Sequence, residues 1–411
     1  MPSSTEPIDA ISYIMKDKSR YYWIIVAMAL VATSLSFLDR QVLPILIINI
    51  KQELPISNVQ YGFINTGFLV GYAIMFTVGG ILIDRYGSRF GLAVSVALWS
   101  LATALHSLAA SVIYFGAFRF LLGIGEGGAF PGAIKAVIEW VPKKKQALAN
   151  GIAIGGAALG AVIAPPLCVY LIKITGWRGV FIITSIIGFS WVGTWLLVTR
   201  RKNINPENLT SEIIIKGNKN IIPITRKKVD FSKLFKTKEV WVFIFMRFLL
   251  DPVLYFYMFW IPFLAMGISN MLGGLMSDII FSKTGNLNRA RKIIMGAAAM
   301  LMLPVLFVKM ALSPESVILI MCIAFFAHGL WITNYITSIA DTFGRKVTST
   351  VVGLSGTAGA VSAFIINPVI GLIITRLSYN PMWIYAGSMY LVAFIGFIIF
   401  IPRIKLLEAY G

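Results

Sequence analysis

Charge is scarce in this sequence. Only 13% of its 411 residues are Asp, Glu, Lys or Arg, where soluble globular domains carry about a quarter. Acid is scarcer than base, with 17 Asp and Glu against 36 Lys and Arg, for a net charge of +19. The two cysteines, Cys168 and Cys322, both lie inside apolar runs. They exclude a disulfide framework, and with only two histidines no Cys/His metal spacing exists. No phosphate loop and no nucleophile–base pair is present, which argues against ATP-driven transport and an intramembrane enzyme. No cofactor and no metal are expected.

Long apolar stretches take the place of charge. Hydrophobic residues make up 58% of the chain, and the mean hydropathy is +0.82. A spanning helix needs about 20 mostly apolar residues, and the pattern recurs at 21–49, 58–83, 91–110, 111–140, 147–172 and 178–199. After a basic stretch at 200–238 it recurs at 239–260, 261–282, 293–312, 316–340, 348–376 and 381–402. A transmembrane barrel would instead need short alternating segments. The expected fold is therefore all-α and polytopic: six helices in residues 1–199, a basic linker at 200–238, and six more in 239–411.

Of the 36 basic residues, 27 fall in groups at every second gap between apolar runs. This positive-inside pattern explains the net charge better than nucleic-acid binding, and it places both termini in the cytoplasm. The first apolar run is too long for a signal peptide and reads as the first span.

The halves repeat each other weakly. "GGILIDRYG" ends the second span and "GGLMSDIIF" the eighth, with Gly80 and Gly274 each four residues before Asp84 and Asp278. Gly151 and Gly353 open the fifth and eleventh spans, with Pro165 and Pro368 near their ends. Small residues at these places let helices approach closely. A repeat of six-helix halves is a transporter architecture with its site between the halves. One place breaks the repeat: Arg20 to Asp84 is 64 residues, whereas Glu239 to Asp278 is 39. The seventh and eighth helices should be short, with a tight turn at Trp260–Pro262 and a marginal eighth span.

"GILIDRYGSR" at Gly80–Arg89 resembles the loop signature of the major facilitator superfamily, with Ser88 in place of one arginine. "FLDRQVLP", "RFLLGIGEGGAFPG", "WRGVF", "RFLLDPVLYFYMFW" and "HGLWITNYITSIADTFG" resemble its anion:cation symporter branch, closest to bacterial hexuronate, galactonate and glucarate carriers. The resemblance covers roughly residues 20–402. It implies two pseudo-symmetric six-helix bundles, monomeric in assembly, in the plasma membrane, moving a small organic anion with protons and needing no nucleic acid. The fifth span departs from the branch. Where relatives often carry polar side chains, it has Gly155, Gly156, Ala157 and Ala158.

Buried charges carry the chemistry, because a charge at the centre of a spanning helix costs at least about 2.5–3.5 kcal/mol. Arg119 and Glu126, seven apart, share one helix face about 10 Å apart along the axis, too far for a simple bridge. The glycines around Glu126 make room for a ligand or a close neighbour. Asp39 and Arg40 are adjacent and diverge by about 100°, so only one of them can face a cavity fully. The four charges sum to zero. A substrate carboxylate adds one negative charge, and protonating one acid cancels it, which makes proton-coupled uptake physically sensible. Arginine forks match a carboxylate as lysine does not. By the resemblance, Asp39 and Glu126 are the proton-coupling acids, and Arg40, Arg119 and Tyr72 serve substrate. Trp331 and Asn334 are further candidates for stacking and hydroxyl bonding. Gly80, Asp84, Arg85, Gly87, Arg89 and Asp278 form the gate motif.

Plain structural readings stand beside these. Arg247 and Asp251 are four apart and favour a structural pair, as do Lys135 and Glu139. His106 and His328 read as packed histidines rather than relays. The short seventh and eighth helices keep open a non-transporting sensor or a decayed carrier.

Overall fold

The structure is a computed structural model that describes residues 6–200, 234–256, 260–311, 313–377 and 380–407. Every regular element among them is helical. Helix α1 runs Glu6–Glu53, and its apolar part is Tyr21–Glu53. Helices α2 (Asn58–Tyr86), α3 (Ser88–His106), α4 (Val112–Glu126) and α5 (Ala129–Trp140) follow, then α6 (Gln146–Val198). The second half holds α7 (Lys238–Phe256), α8 (Trp260–Thr284), α9 (Leu287–Leu301) with a 3-10 extension at Leu303–Met310, α10 (Pro314–Leu377) and α11 (Asn380–Phe400). Helices α4 and α5 together form one span. Helices α6 and α10 each hold two spans, joined at single glycines.

Those joints have a local cause. Gly176 (φ 68°) and Gly344 (φ 63°) take the left-handed backbone conformation that side chains with a Cβ rarely adopt. One residue thus reverses the chain between spans five and six and between spans ten and eleven. Elsewhere polar caps set the boundaries. Ser57 and Gln60 form a reciprocal capping box at the start of α2, and Asn286 caps α9.

The seventh and eighth spans are shorter than their first-half counterparts: α7 and α8 have 19 and 25 residues, α1 and α2 have 48 and 29. One expectation needs correction. Trp260–Pro262 is not the turn but the first turn of α8, where proline is tolerated because that N–H has no helical partner. Residues 257–259, just before α8, lie outside the described residues. The 25 residues of α8 reach about 37 Å, but neither α7 nor α8 is among the eight helices of the described residues that are both long and apolar enough to cross a membrane.

The two halves meet along two seams, α2 with α10 and α6 with α8. Glycines permit both. A Cβ on Gly80 would overlap the Ser349 carbonyl and one on Gly353 the Phe76 carbonyl. On the other seam, Gly151 abuts the Asn270 carbonyl and Gly274 that of Ala147. The repeat seen in the sequence is therefore the repeat of the interface.

Candidate functional site

Between the halves lies a small cavity of about 90 Å³. The first half lines it with Phe37, Arg40, Tyr72, Phe76, Phe130, Ile154 and Ala157, the second with Arg247, Met266, Asn270, His328, Ile332, Ile336 and Val352.

Arg40 is the charged group of the first-half wall. Its guanidinium sits among three rings, 4.6 Å from Phe37, 4.9 Å from Phe68 and 4.7 Å from Tyr72. It donates to Glu126 Oε2 through Nη2 (2.8 Å) and Nε (3.2 Å). Ser36 Oγ donates to the same oxygen at 3.0 Å. Glu126 is fully buried behind Arg40, whose side chain is 19% exposed. Of the adjacent pair on α1, Arg40 faces the cavity. Asp39 turns into the first-half bundle beside Thr184 and Trp99.

Arg119 is buried as well, and its Nη2 donates to the Arg40 carbonyl at 3.2 Å. It holds the backbone that carries Arg40 and is not part of the cavity lining. The sequence placed Arg119 and Glu126 together on the cavity side; the structure puts both behind Arg40. The glycines beside Glu126 admit close neighbours rather than ligand. A Cβ on Gly123 would strike Phe68 and Tyr72 of α2, and one on Gly125 would strike Trp99 of α3.

Tyr72 lines the cavity as expected. Trp331 and Asn334 do not. Trp331 packs edge-on to Tyr390, with ring centroids 5.5 Å apart, and Asn334 Nδ2 donates to the Gly273 and Leu330 carbonyls at 3.1 and 2.9 Å. One turn of α10 rotates both away from the cavity and brings His328 and Ile332 to it instead. Arg247, expected as half of a structural pair, lines the cavity, and so does Asn270, which the sequence reading did not single out. The signal for both was a polar residue within an apolar span. The side chain of Asp251, the expected partner of Arg247, lies outside the described residues.

A second cluster closes the end of the molecule from which the linker leaves. Asp84 Oδ2 accepts from Thr350 N (2.6 Å) and Thr350 Oγ1 (2.7 Å), and Asp84 Oδ1 from Ser349 N (3.3 Å) and Lys135 Nζ (2.7 Å). Carboxylate bonds to N–H groups near a helix start are favoured by charge and by the helix dipole. Its pseudo-symmetric mate Asp278 accepts from Leu148 N at 2.9 Å, near the start of α6. Lys143 pairs with Asp341 at 2.6 Å, and Arg291 with the same carboxylate at 2.9 Å. Lys135, expected to serve Glu139, stands 4.0 Å from it and only 2.7 Å from Asp84. Gly87 (φ 84°) makes the α2–α3 turn. Arg85 and Arg89 lie over the rings of Tyr86 and Phe90. Neither bonds across the halves in the way Asp84 does.

The Major Facilitator Superfamily sequence profile matches residues 29–367. The Hexuronate transporter of Escherichia coli (strain K12) is 27% identical over 387 residues, covering 88% of this chain and 89% of that protein. The Probable galactarate/D-glucarate transporter GudP of Bacillus subtilis (strain 168) is 26% identical, covering 94% and 93%. Among solved structures, the proton:xylose symporter XylE bound to 6-bromo-6-deoxy-D-glucose superposes with a TM-score of 0.74 at 15% identity, covering 94% of this chain and 97% of that one.

Proposed function

This chain belongs to the major facilitator superfamily, and on that premise we propose that it is a secondary active transporter that takes up a sugar acid or related organic anion together with a proton. The relatives named above carry such acids by name, and none is an enzyme. The observation that carries the reading is the bridge from Arg40, on the cavity wall, to Glu126, sealed behind it. While Glu126 is ionised, it occupies both donors that Arg40 would turn toward a carboxylate. A proton on Glu126 frees that fork, and the substrate carboxylate takes the place of the glutamate. Binding of anion and proton are then linked through a single guanidinium. Asp39, buried nearby, is the second coupling acid, and Arg119 fixes the backbone of Arg40.

In this reading the halves, residues 1–199 and 239–411 joined by the basic linker at 200–238, rock about the cavity in alternating access. The basic groups orient the Asp84 and Asp278 cluster toward the cytoplasm. The structure then represents the carrier with its cytoplasmic side shut. It works as a monomer in the plasma membrane, with both termini cytoplasmic.

Uptake into membrane vesicles tests this. An inward proton gradient should drive accumulation of a labelled hexuronate or hexonate, and a protonophore should abolish it. Uptake that never exceeds equilibrium under the gradient would refute proton coupling. The alternative of a non-transporting sensor or decayed carrier rests on the short seventh and eighth helices, and accumulation under the gradient would exclude it.

A further inference from the structure

The cavity walls differ in a way that narrows the substrate. Facing the ligand from α6 are Ile154 and Ala157, and beside them Phe37 and Phe130, none of which can hydrogen-bond through its side chain. The opposite wall carries donors held in place. Asn270 is fully buried, and its Oδ1 accepts from Thr333 Oγ1 at 3.3 Å. That engages one end of the amide and leaves the other without a hydrogen bond among the described residues. An unpartnered amide end on a residue lining the cavity is an unmet hydrogen-bonding demand. His328 is buried beside the same cavity, with its Nδ1 bonded to Tyr390 Oη at 2.5 Å. Its Nε2 is therefore the ring nitrogen left for a ligand.

Resting on the anion-carrier reading, we propose that the substrate is an organic acid hydroxylated along one edge only. Its carboxylate lies at Arg40. Its hydroxyls face the free amide end of Asn270 and His328 Nε2, and its opposite edge is deoxygenated and lies on Ile154, Ala157 and Phe130. A fully hydroxylated acid would press hydroxyls against this apolar wall, where each buried unpartnered hydroxyl carries a penalty that partial hydroxylation avoids. Ala157, in the Gly155–Ala158 stretch noted in the sequence, is thus a specificity element: it leaves the α6 side of the cavity without a hydroxyl partner.

The test is binding of D-galactonate and of its 3-deoxy and 6-deoxy forms to the purified full-length protein, read by ligand-induced thermal shift and by calorimetry. At least one deoxy acid should bind about tenfold more tightly than galactonate, which is about 1.4 kcal/mol. Ala157→Gln, with Ala157→Ser as the smaller replacement in case glutamine fills the cavity, should narrow that gap by improving galactonate. Asn270→Leu and His328→Phe should weaken the hydroxylated acids about tenfold while leaving the affinity for cyclohexanecarboxylate within twofold. Galactonate binding as tightly as both deoxy forms would overturn the proposal and leave the carrier reading intact. No binding of any of these acids would overturn both.

Discussion

Glu126 has two unlike oxygens. Oε2 accepts three hydrogen bonds, while Oε1 makes none among the described residues. A proton therefore lands on Oε1, where it displaces nothing, and it weakens the bonds that Arg40 makes to the far oxygen. Glu126→Gln imitates that protonated state. Gradient-driven accumulation should fall to a ratio near one, while counterflow exchange in vesicles persists; accumulation at the wild-type ratio would exclude Glu126 as the coupling acid. Arg40→Lys keeps the charge and loses the planar fork. Its affinity for a hexonate, measured by calorimetry, should drop about tenfold to a hundredfold, roughly 1.4–2.8 kcal/mol, and an unchanged affinity would make Arg40 structural. These four charges were legible because burying them in lipid is expensive, whatever the neighbours. What the sequence could not show was their hierarchy. Helical periodicity puts Arg119 and Glu126 on one face but says nothing of α1, and it is Arg40, on α1, that comes between Glu126 and the cavity. Trp331 and Asn334 were misplaced for a related reason: on a helix packed on all sides, the apolar pattern does not mark which stripe faces the cavity, and His328, three residues before Trp331, is the one that does.

At the scale of helices, hydropathy and charge set the number and order of the spans, because both follow from the bilayer. The Gly176 and Gly344 joints were less visible, since a one-residue reversal has no loop composition to read. The same blindness shifted the turn near Trp260. The aromatic run before it carries no turn signal, and Pro262, read as a breaker, starts α8 instead. The crossing number of α7 and α8 is open to direct measurement. In a background without Cys168 and Cys322, cysteines at Asn220 and Lys283 should label from the same side of the membrane. Labelling from opposite sides would mean a single crossing. Lys283 is exposed in the last turn of α8 and caps no helix. Packing of α2 against α4 is testable too. Gly123→Ala drives a Cβ into the Phe68 carbonyl and Tyr72 N–H. Overpacking of this kind costs about 1–3 kcal/mol. The unfolding midpoint should fall by several degrees, and hexonate affinity should fall with it because Tyr72 moves. An unchanged midpoint would show that α4 yields freely.

For the whole molecule, Asp84 and Asp278 tie the halves together at one end, each reaching from one half to a helix start in the other. Hydrogen bonds to a charged group contribute about 1.5–3 kcal/mol, so losing one latch should shift the balance between closed and open linker ends by roughly tenfold to a hundredfold. Spin labels flanking this end in Asp84→Asn should report a larger long-distance population than in the parent. An unmoved distribution would mean that the seams alone hold the closed form. The Asp84 latch and the Lys143–Asp341 pair also converge on one short piece of chain. Asp341 precedes Gly344 by three residues, while Ser349 and Thr350 follow it by five and six. Connections between spanning helices ordinarily tolerate extra residues, and fusion tags and reporter domains are routinely spliced into them. This connection should refuse them. A few residues inserted after Gly344 would put Asp341 and Thr350 out of register with partners that both belong to the other half, so the site is closed to length variation even though it lies at a membrane-surface turn.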